Sequence, residues 1–525
     1  MLRERGLQRV NGGELPRPSL YRAEAVKRGE ALAAKQANIP LYTLMERAGQ
    51  SLFQLIIQTL PEARRVLICC GTGNNGGDGY TLARLLKAQG LSITLWSIGD
   101  SLKIRGDAAL ARSEWFKSGG LEEEGEIISS DFDLIIDALL GTGLRGEVRP
   151  RYLSLVHQIN ESAVPVLSVD IPSGLCANTG QVLGNAVQAR YTLTFVGLKI
   201  GLTTGKARDY IGELWRAELG IGEIFAQIEP SNIQLMTTAN MRSQLPLRAP
   251  TAHKGSAGRV LCIGGDLGMG GALSLSCEAV ARSGAGLIKA LTHPEHIAPL
   301  LSRIPEVMTV RPSEDGEVER HSLSWADVVV VGPGLGQSTW GIERLSRLYR
   351  SRMKDFRAGL VLDADCLNLI ALWMDSPDHS PDDLIVHLTQ GNIITPHPGE
   401  AARLLNWTID AVEEDRVLSA HALSQRFQCV TVLKGAGTIV TDGAETWICP
   451  LGNSGMASGG MGDVLSGVIG GLLAQRVAPL HAACLGVWLH SKAADLALNH
   501  LDPLSLLATD VIKSLTTALR ELRNR

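Results

Sequence analysis

Short apolar runs of strand length alternate with helix-like segments through the first half of the chain. The runs are "RVLICC", "SITLWSIG", "FDLIIDALL", "PVLSVD" and "ARYTLTFVG". After the first of them, a glycine-rich stretch leads into "YTLARLLKAQ", which predicts a helix that ends at Gly90. Alternating strands and helices are typical of βαβ units, so we predict a mostly parallel sheet covered by helices. Ligands of such sheets bind at the carboxyl ends of the strands, which makes the loops after these runs the candidate sites.

A second series of strands and helices follows in the second half of the chain. Its runs are "GRVLCIGGD", "ADVVVVGPGLG", "AGLVLDADCLN" and "GNIITPHPGE", and "CVTVLKGAGTIVTDG" predicts two strands in a hairpin-like pair. Between the two series, residues 223–252 lose the alternation and carry scattered Pro, Ser, Asn and Thr. We therefore predict two domains, residues 1–230 and 231–525, which also suits a chain too long for a single core.

Composition and charge mainly exclude classes of partner. With 45% apolar and 20% charged residues, the chain has the composition of a globular protein. Aromatic residues make up only 4% and the formal net charge is −4, so nothing points to nucleic acid or to an anionic membrane. No uncharged apolar stretch approaches the roughly 18 residues of a membrane span, and the basic N-terminal start lacks the apolar region of a signal peptide. The nine cysteines form no CxxC pair, which predicts reduced thiols in a cytoplasmic protein.

The stretch "GNSGMASGGMGDVLSG", residues 452–467, is dense in glycine and carries a single acid, Asp463. We predict that it opens a helix over the apolar run "VLSGVIGGLLA", with Asp463 in the first turn. Free N–H groups and the positive end of the helix dipole would gather there and bind an anion. An acid beside a bound phosphate suits a general base that deprotonates an alcohol. For this stretch alone, a glycine-rich packing face with an acid for the helix dipole is an equally good explanation.

Three loops of the first half fall at strand ends and are rich in oxygen and amide groups. Residues 71–79 read "GTGNNGGDG", in the strand–loop–helix context of a phosphate cradle, and a second loop, "GTGLRG", follows Asp137. The third, "VDIPSGL", carries Asp170 and Ser173. Oxygen ligands suit a hard cation, which Asn75, Asp137 and Ser173 could hold together. Ordinary turn chemistry explains any one of these loops better, whereas three in succession favour a binding site.

The second half offers further candidates for nucleotide and metal chemistry. The stretch "LKGAGT", which contains Lys434, could hold nucleotide phosphates or ribose. Two flanking prolines fix the turn around His397 and aim its imidazole, although a lone histidine is more often structural than catalytic. Asp363 and Glu400 could serve as magnesium-related acids, directly or through water, but roles in turns and helix caps are as good an explanation.

Together these motifs resemble two known families. "GTGNNGGDG", "DALLGTGLRG" and "VDIPSGL" resemble the NAD(P)H-hydrate epimerase family, which implies an N-terminal Rossmann-like three-layer α/β domain. "GGDLGMGGA", "GPGLG", "TPHPGE", "LKGAGT" and "GNSGMASGGMGDVLSG" resemble the ADP-dependent NAD(P)H-hydrate dehydratase family, which implies a C-terminal ribokinase-like α/β domain. In this order they are similar to the bifunctional repair enzymes of bacteria, over nearly the whole chain except about the first twenty residues.

The resemblance implies repair of NADH and NADPH that have been hydrated at the nicotinamide ring. The first domain would interconvert the R and S hydrates. The second would use ADP to dehydrate the S hydrate, giving NAD(P)H, AMP and phosphate. Asp463 would be the base of the dehydration and Asp170 would assist the epimerisation. ADP, Mg2+ and K+ are the implied cofactors, and we expect a cytoplasmic homo-oligomer with small-molecule substrates and no nucleic-acid or membrane partner.

The site residues that the resemblance implies fall into four sets. In the first domain, the residues expected to bind the hydrate are Asn74, Asn75, Gly76, Gly77, Asp78, Gly141, Thr142, Gly143, Leu144, Arg145, Gly146, Glu147 and Asp170. The expected K+ ligands are Asn75, Asp137 and Ser173. In the second domain, the residues expected to bind the hydrate are Ala272, Gly334, His397 and Asp463. Those expected to bind the adenine nucleotide are Lys434, Gly435, Ala436, Gly437, Thr438 and Gly462.

Two other functions remain open from the sequence. A ribokinase-like second half would serve equally well in a kinase of a vitamin or sugar alcohol, although the fused first half argues against this. A kinase leaves a stable phosphorylated product, whereas repair releases free phosphate. A nucleotide sensor or scaffold would bind ligands without turnover, which is less consistent with the presence of both Asp463 and His397.

Overall fold

The chain divides into two compact units, Met1–Leu235 and Met236–Arg525. The computed structural model describes residues 6–10, 15, 18–123, 131–352, 358–374 and 391–524. The division between the units lies a few residues beyond the domain boundary predicted near residue 230. Much of the N-terminal segment, on which the prediction of no signal peptide rests, lies outside the described residues.

The first unit is a sheet covered by helices. Its strands are β1 (Leu7–Arg9), β2 (Leu20–Tyr21), β3 (Arg65–Cys70), β4 (Ser92–Ser97), β5 (Leu134–Ala138), β6 (Val166–Val169), β7 (Tyr191–Phe195), β8 (Leu198–Lys199), β9 (Glu213–Ala217) and β10 (Ile233–Leu235). Its α-helices are α1 (Ala23–Gln36), α2 (Leu41–Thr59), α3 (Asn74–Ala88), α4 (Gly106–Lys117), α5 (Pro150–Glu161) and α6 (Gly222–Ile228). Short 3-10 helices cover Ser101–Lys103, Ile200–Leu202 and Gly205–Asp209.

The order of strands in the main sheet of this unit is β1-β9-β7-β6-β5-β3-β4. Neighbouring strands are parallel, except that β1 runs antiparallel to β9. A separate short parallel pair joins β2 and β8. The loops after β3, β5 and β6 therefore lie at one edge of the sheet, where the sequence places its candidate site residues.

The central strands of this sheet are apolar on both faces because helices cover both faces. In β3, the side chains of Val66, Ile68 and Cys70 pack in one core cluster with helices α1 to α4. The intervening Leu67 and Cys69 pack in a second cluster with α5 on the opposite face. The predicted three-layer arrangement with a mostly parallel sheet is confirmed.

The glycine-rich stretch after β3 differs from the predicted loop. Helix α3 begins at Asn74, so Asn75 and Asp78 lie in its first turns and not in a loop. These turns approach the end of β3 very closely, since a Cβ on Gly76 would lie 2.0 Å from the carbonyl oxygen of Gly71. The prediction that residues 71–79 form a loop was wrong from Asn74 onward, because glycine at position 76 allows close packing of the helix against the end of the strand.

The second unit is also a largely parallel sheet with helices packed against it. Its strands are β11 (Arg259–Ile263), β12 (Leu287–Leu291), β13 (Met308–Val310), β14 (Val328–Val331), β15 (Gly359–Leu362), β16 (Ile393–Ile394), β17 (Val430–Leu433), β18 (Ile439–Thr441) and β19 (Thr446–Ile448). These strands follow the order β19-β18-β17-β16-β15-β14-β11-β12-β13. In this order, all neighbouring strands between β17 and β13 are parallel. The pairs β17–β18 and β18–β19 are antiparallel. The predicted hairpin-like pair is confirmed.

Two apolar helices occupy the core of the second unit. Its α-helices are α7 (Thr238–Arg242), α8 (Gly270–Arg282), α9 (Ile297–Arg303), α10 (Glu317–Trp325), α11 (Thr339–Arg352), α12 (Asp365–Met374), α13 (Pro398–Leu405), α14 (Ile409–Glu414), α15 (Arg416–Phe427), α16 (Met461–Ala474), α17 (Pro479–Ala497) and α18 (Ala508–Asn524). Short 3-10 helices cover Lys254–Ala257, Pro294–His296, Ser454–Met456 and Pro503–Ser505. Most residues of α16 and α17 are buried, and their apolar side chains share one core cluster with the strands.

Two features of the whole chain bear on the sequence-based expectations. All nine cysteines are free, and only Cys176 among them is partly exposed. Over the residues that the structure describes, no helix combines the length and the apolar character needed to cross a bilayer.

Candidate active sites

A buried carboxylate, Asp137, lies at the centre of the cation site predicted for the first unit. It accepts hydrogen bonds from the hydroxyl of Ser173 at 2.5 Å, from the backbone N–H of Ser173 at 2.8 Å and from the hydroxyl of Ser168 at 2.8 Å. Burial raises the pKa of Asp137, and the hydrogen bonds from Ser173 oppose this shift. Within the described ranges no lysine or arginine pairs with Asp137, so its negative charge would be balanced well by a small bound cation.

Asn75 reaches the same place from helix α3. Its side chain is buried and packs on Gly141, where an added Cβ would lie 3.3 Å from the Cβ of Asn75. The residue before Gly141, Leu140, donates its N–H to the hydroxyl of Ser173 at 2.8 Å. The Nδ2 of Asn75 has no hydrogen-bond partner among the described residues. The structure thus brings Asn75, Asp137 and Ser173 around one loop, as the sequence predicted for a cation site.

Asp170 directly follows β6 and has a left-handed backbone, with φ of 64°. Its Oδ1 accepts hydrogen bonds from the Nζ of Lys199 at 2.5 Å and from the hydroxyl of Thr194 at 2.9 Å. The N–H of Phe195 donates to the same oxygen at 3.2 Å. Lys199 is only 2% exposed and also donates to the carbonyl of Phe195 at 3.1 Å. Asp170 therefore belongs to a largely buried ion pair at the carboxyl edge of the sheet.

The other residues predicted to bind the hydrate in the first unit differ in exposure. Residues 141–147 are all partly or fully exposed, and nothing lies within 4 Å of a Cβ built on Gly143. Asn74 is exposed at the start of α3, whereas Asp78 lies one turn further on and is partly buried. Burial raises the pKa of Asp78 well above its usual range, and the charge of Asp170 adds to this shift. Asp78 and Asp170 therefore share one electrostatic environment.

In the second unit, helix α16 begins where the sequence predicted, and Asp463 lies in its first turn. Gly460 precedes the helix with φ of 89°, a left-handed conformation that glycine adopts without strain. Burial raises the pKa of Asp463 to about 6, and the negative charge of Asp363 adds to this shift. A carboxyl group with such a pKa is mostly ionised at neutral pH yet basic enough to accept a proton in catalysis.

The glycines around Asp463 have two kinds of surroundings. A Cβ on Gly467 would lie 2.3 Å from a backbone oxygen of α8, and one on Gly470 would lie 2.3 Å from a side chain of β14. By contrast, nothing lies within 4 Å of a Cβ built on Gly459, and Gly462 faces the Nζ of Lys434. The packing explanation therefore holds for the glycines inside the helix, whereas anion binding by the glycines at its start stays a prediction.

Lys434 directly follows β17 and lies between two acids. Its Nζ is 2.7 Å from Oδ1 of Asp363 and 3.7 Å from Oε2 of Glu400. Burial alone would lower the pKa of Lys434, but the charges of Asp363 and Glu400 outweigh this and raise it. The Oδ2 of Asp363 is buried and has no hydrogen-bond partner in the described part of the chain. This oxygen lies 3.7 Å from a Cβ built on Gly462, at the start of α16.

His397 caps helix α13 and borders the same cluster. Its Nδ1 accepts the backbone N–H of Gly399 at 2.9 Å, and the backbone N–H of His397 donates to Oε2 of Glu400 at 2.8 Å. The side chain is half-exposed. Burial and the nearby charge of Lys434 lower the pKa of His397, so its imidazole is neutral at neutral pH. A neutral imidazole at this position can accept or donate a hydrogen bond to a ligand.

Ala272 and Gly334, the remaining residues predicted to bind the hydrate, meet at the loop after β14. A Cβ on Gly334 would lie 3.2 Å from the Cβ of Ala272, so the loop after β14 contacts the first turn of helix α8. Two positions earlier, a Cβ on Gly332 would lie 1.7 Å from the carbonyl oxygen of Asp363. Ala272, Gly334 and Asp363 therefore lie along one edge of the sheet.

Comparison with known proteins assigns a family to the chain. Over 499 residues it is 44% identical to the bifunctional NAD(P)H-hydrate repair enzyme Nnr of Escherichia coli strain K12, covering 95% of this chain and 93% of that one. The enzyme of the same name from Vibrio cholerae is also 44% identical, over 97% of this chain and 99% of that one. This chain belongs to the bifunctional NAD(P)H-hydrate repair enzyme family.

Each unit also matches a family model of its own. Residues 41–201 match the model described as YjeF-related protein N-terminus, and residues 260–517 match the one described as NAD(P)H-hydrate dehydratase. A crystal structure of a ribokinase-like superfamily protein from Enterococcus faecalis V583 matches with a TM-score of 0.50 and 27% identity, over 56% of this chain and 98% of that one. The predicted membership of a bifunctional enzyme family and the ribokinase-like fold of the second half are confirmed.

The sequence did not indicate two buried cationic residues, Lys199 and Arg416, that contact predicted site residues of this repair enzyme. Lys199 lies in "FVGLKIG", where a lysine inside an apolar and glycine-rich run was the available signal. Arg416 is 2% exposed and donates from Nη2 to the carbonyl oxygen of Lys434 at 3.0 Å. It also lies against Gly435, where a Cβ would be 2.7 Å from Nη2. Arg416 thus supports the loop predicted to bind the nucleotide, and nothing in its local sequence indicates that contact.

Proposed function

We propose that this chain repairs hydrated NADH and NADPH. The first unit interconverts the R and S hydrates, and the second unit dehydrates the S hydrate with ADP, giving NAD(P)H, AMP and phosphate. The names of the relatives and the family models support this assignment. The domain limits 1–230 and 231–525 belong to the same proposal, as do a homo-oligomeric state and a cytoplasmic location.

The observation that carries the proposal is the position of Asp463. It lies in the first turn of a helix that opens after glycines, and burial raises its pKa to about 6. The hydrate carries a ring hydroxyl, which is a poor leaving group until it is phosphorylated. We propose that Asp463 accepts the hydroxyl proton while the hydroxyl oxygen attacks the terminal phosphoryl group of ADP and AMP leaves. Phosphate then departs from the ring and accepts the proton that the neighbouring carbon releases, and the C–H electron pair restores the double bond.

The start of α16 and Lys434 would stabilise the phosphoryl group during transfer. The N–H groups of Gly459, Gly460 and Gly462 are placed at the helix start, where the dipole favours an anion. Gly462 lies against the ammonium of Lys434, because a Cβ there would be 3.2 Å from Nζ. Positive groups therefore surround the point at which Asp463 would deprotonate the hydroxyl.

The residues present also fit the magnesium ion expected with ADP. Among the described residues, no three His, Cys, Asp or Glu side chains are grouped so that they could hold a metal by themselves. Magnesium usually takes only one or two carboxylates, and phosphate oxygens and water complete its shell. The unpartnered Oδ2 of Asp363 and the neighbouring Glu400 would hold it with the diphosphate. When bound, the ion supplies neutralisation of charge on the diphosphate.

We assign the nucleotide to the loop of Lys434, Gly435, Ala436, Gly437 and Thr438, with Gly462 beside it. Gly435 and Ala436 are exposed, and the left-handed φ of 66° at Gly437 shapes the turn. The buried Arg416 holds the base of this loop through the carbonyl oxygen of Lys434. Ala272, Gly334, His397 and Asp463 are assigned to the hydrate.

In the first unit, we assign the hydrate to residues 74–78, residues 141–147 and Asp170. The cluster of Asn75, Asp137 and Ser173 fits K+, because it combines amide, carboxylate and hydroxyl oxygens. Asp137 is buried, and among the described residues no lysine or arginine forms an ion pair with it. When bound, K+ would neutralise Asp137 and fix the loop that carries Gly141.

The decisive experiment follows the absorbance at 340 nm of a mixture of R and S NADPH hydrates with ADP, Mg2+ and K+. Complete recovery of NADPH with formation of AMP and phosphate supports both activities. Rapid recovery of the S fraction alone, followed by the slow spontaneous rate, would remove the epimerase assignment. A stable phosphorylated hydrate with no NADPH would indicate a kinase, and no recovery with ADP or ATP would refute the repair function.

A further inference from the structure

The first unit gathers three carboxyl groups and one buried ammonium at the carboxyl edge of its sheet. Asp170 follows β6, Lys199 ends β8, Asp78 lies on α3 and Glu30 lies on α1. Lys199 is bonded to Asp170, and the charges of Asp170 and Glu30 both act on Asp78. Residues from four separate elements thus form one acid–base cluster, which we call the Lys199 cluster.

The members of the Lys199 cluster have different surroundings. Asp170 accepts three hydrogen bonds, one of them from the ammonium of Lys199. Burial raises the pKa of Asp78 well above its usual range, Asp170 and Glu30 add to this, and Lys199 opposes it. Burial likewise raises the pKa of Glu30. The cluster therefore places a carboxyl group that is bonded to an ammonium beside two carboxyl groups whose pKa is raised, and such unequal surroundings of neighbouring acids are typical of acid–base catalysis.

Two features of the neighbouring residues favour a ligand at this edge of the sheet. The Nδ2 of Asn75, one helical turn before Asp78, is buried and has no hydrogen-bond partner within the described ranges. A buried amide without a partner indicates an atom still to be bound. Asp170 is held in a left-handed backbone, a strained conformation for a non-glycine residue that clusters at functional sites.

The inference rests on the epimerase function proposed above for the first unit. We propose that Asp78 and Asp170 are the acid and the base that move the hydroxyl of the hydrate from one face of the ring to the other. Lys199 is then a positioning residue, since its ammonium is bonded to Asp170 and holds it in place. Glu30 is the neighbour whose like charge favours the protonated form of Asp78.

The chemistry follows from the position of the hydroxyl. Water adds across an enamine double bond with its oxygen on the carbon next to nitrogen, so the hydroxylated carbon is a hemiaminal. Asp78 gives its proton to the hydroxyl oxygen, the carbon–oxygen bond breaks, and water leaves while the nitrogen lone pair forms a carbon–nitrogen double bond. A water molecule then attacks the opposite face, the electron pair returns to nitrogen, and Asp170 accepts the proton. In the reverse direction the two carboxyl groups exchange roles.

The test compares Asp78→Asn with Glu24→Gln, a matched control on the exposed part of helix α1. Purified R hydrate is incubated in 18O water with K+ and without ADP, and the R to S ratio and the 18O content are followed by chromatography and mass spectrometry. We expect Asp78→Asn to slow both signals together by at least about 100-fold. Glu24→Gln should keep both within about twofold of the wild-type rates.

A second variant keeps the proposal testable if Asp78→Asn fails to fold, which thermal unfolding would reveal. Lys199 lowers the pKa of Asp78, so Lys199→Met should raise it and move the high-pH fall of epimerisation to higher pH. A wild-type rate in Asp78→Asn, or epimer exchange without 18O uptake, would overturn the proposal, and so would an unmoved profile in Lys199→Met. If the wild-type chain itself does not exchange the epimers, the proposed epimerase function fails, which is a distinct result.

Discussion

The pH dependence of the dehydration should be set by Asp463. Its pKa of about 6 means that at pH 5 only about a tenth of the molecules carry the ionised base. We therefore expect kcat/KM for the S hydrate to be level above pH 7 and to fall about tenfold per pH unit below pH 6. The direction follows from the role, because a general base acts only when it is deprotonated.

Replacing Asp363 with asparagine should move this profile to lower pH. Burial is the largest cause of the raised pKa of Asp463, and the negative charge of Asp363 is the next. Asp363→Asn removes that charge and leaves the ammonium of Lys434, now without its partner at 2.7 Å, to favour the ionised form of Asp463. Both effects have the same sign, so the midpoint should fall below pH 6 toward the ordinary carboxyl range, whatever happens to the maximal rate.

The assay measures initial rates of NADPH formation at 340 nm from purified S hydrate with ADP and Mg2+. The pH is varied from about 4.5 to about 8, so that the range includes the expected midpoint. Rates without enzyme are subtracted at each pH, since the hydrate also reacts with acid. Glu414→Gln, which removes an exposed carboxylate of the same unit, should keep the wild-type profile. A flat wild-type profile through pH 6, or a midpoint that rises in Asp363→Asn, would refute the role of Asp463 as base.

Three further predictions concern stability and cation binding. Because the pKa of Asp463 is raised to about 6 on folding, its contribution to stability is present below pH 4 and lost as pH rises through 6. Asp463→Asn should therefore raise the free energy of unfolding by about 1–3 kcal/mol at pH 7 but not at pH 4, in denaturant titrations. Gly467→Ala should lower the free energy of unfolding by about 1–3 kcal/mol, whereas Gly459→Ala should change it by less than about 0.5 kcal/mol; equal effects would contradict the packing difference. Replacing K+ with a bulky organic cation should slow epimer exchange but leave dehydration of the S hydrate unchanged, and parallel losses would exclude a K+ site confined to the first unit.

The architecture was predictable from the sequence because its strands are buried on both faces. The runs "RVLICC" and "VVVV" contain only residues that suit a covered parallel strand, apart from the exposed first residue of β3. The place of Asp463 was predictable for a similar reason, since glycines before an apolar run mark a helix start. Local patterns of this kind need no knowledge of distant contacts.

The partners of the site residues were not predictable from local patterns. The bond between Lys199 and Asp170 joins residues 29 positions apart, and that between Lys434 and Asp363 joins residues 71 apart. No periodicity relates such pairs, because the topology of the sheet decides which strand ends become neighbours. The start of α3 at Asn74 was missed since glycine normally argues against helix, and the close approach to Gly71 becomes visible only in the folded chain.

The two units share one electrostatic device at their proposed sites. In each, a lysine is bonded to an aspartate that directly follows a strand: Lys199 with Asp170 and Lys434 with Asp363. Buried ion pairs add little net stability, because desolvation of the charges offsets their attraction. A neighbouring carboxyl group gives these pairs a better explanation. The pKa of Asp78 and that of Asp463 are both raised by burial and by the paired aspartate, and both are held down by the paired lysine. The strand-end pair thus sets the proton affinity of a second acid, at a place where the sheet already gathers ligand-binding loops.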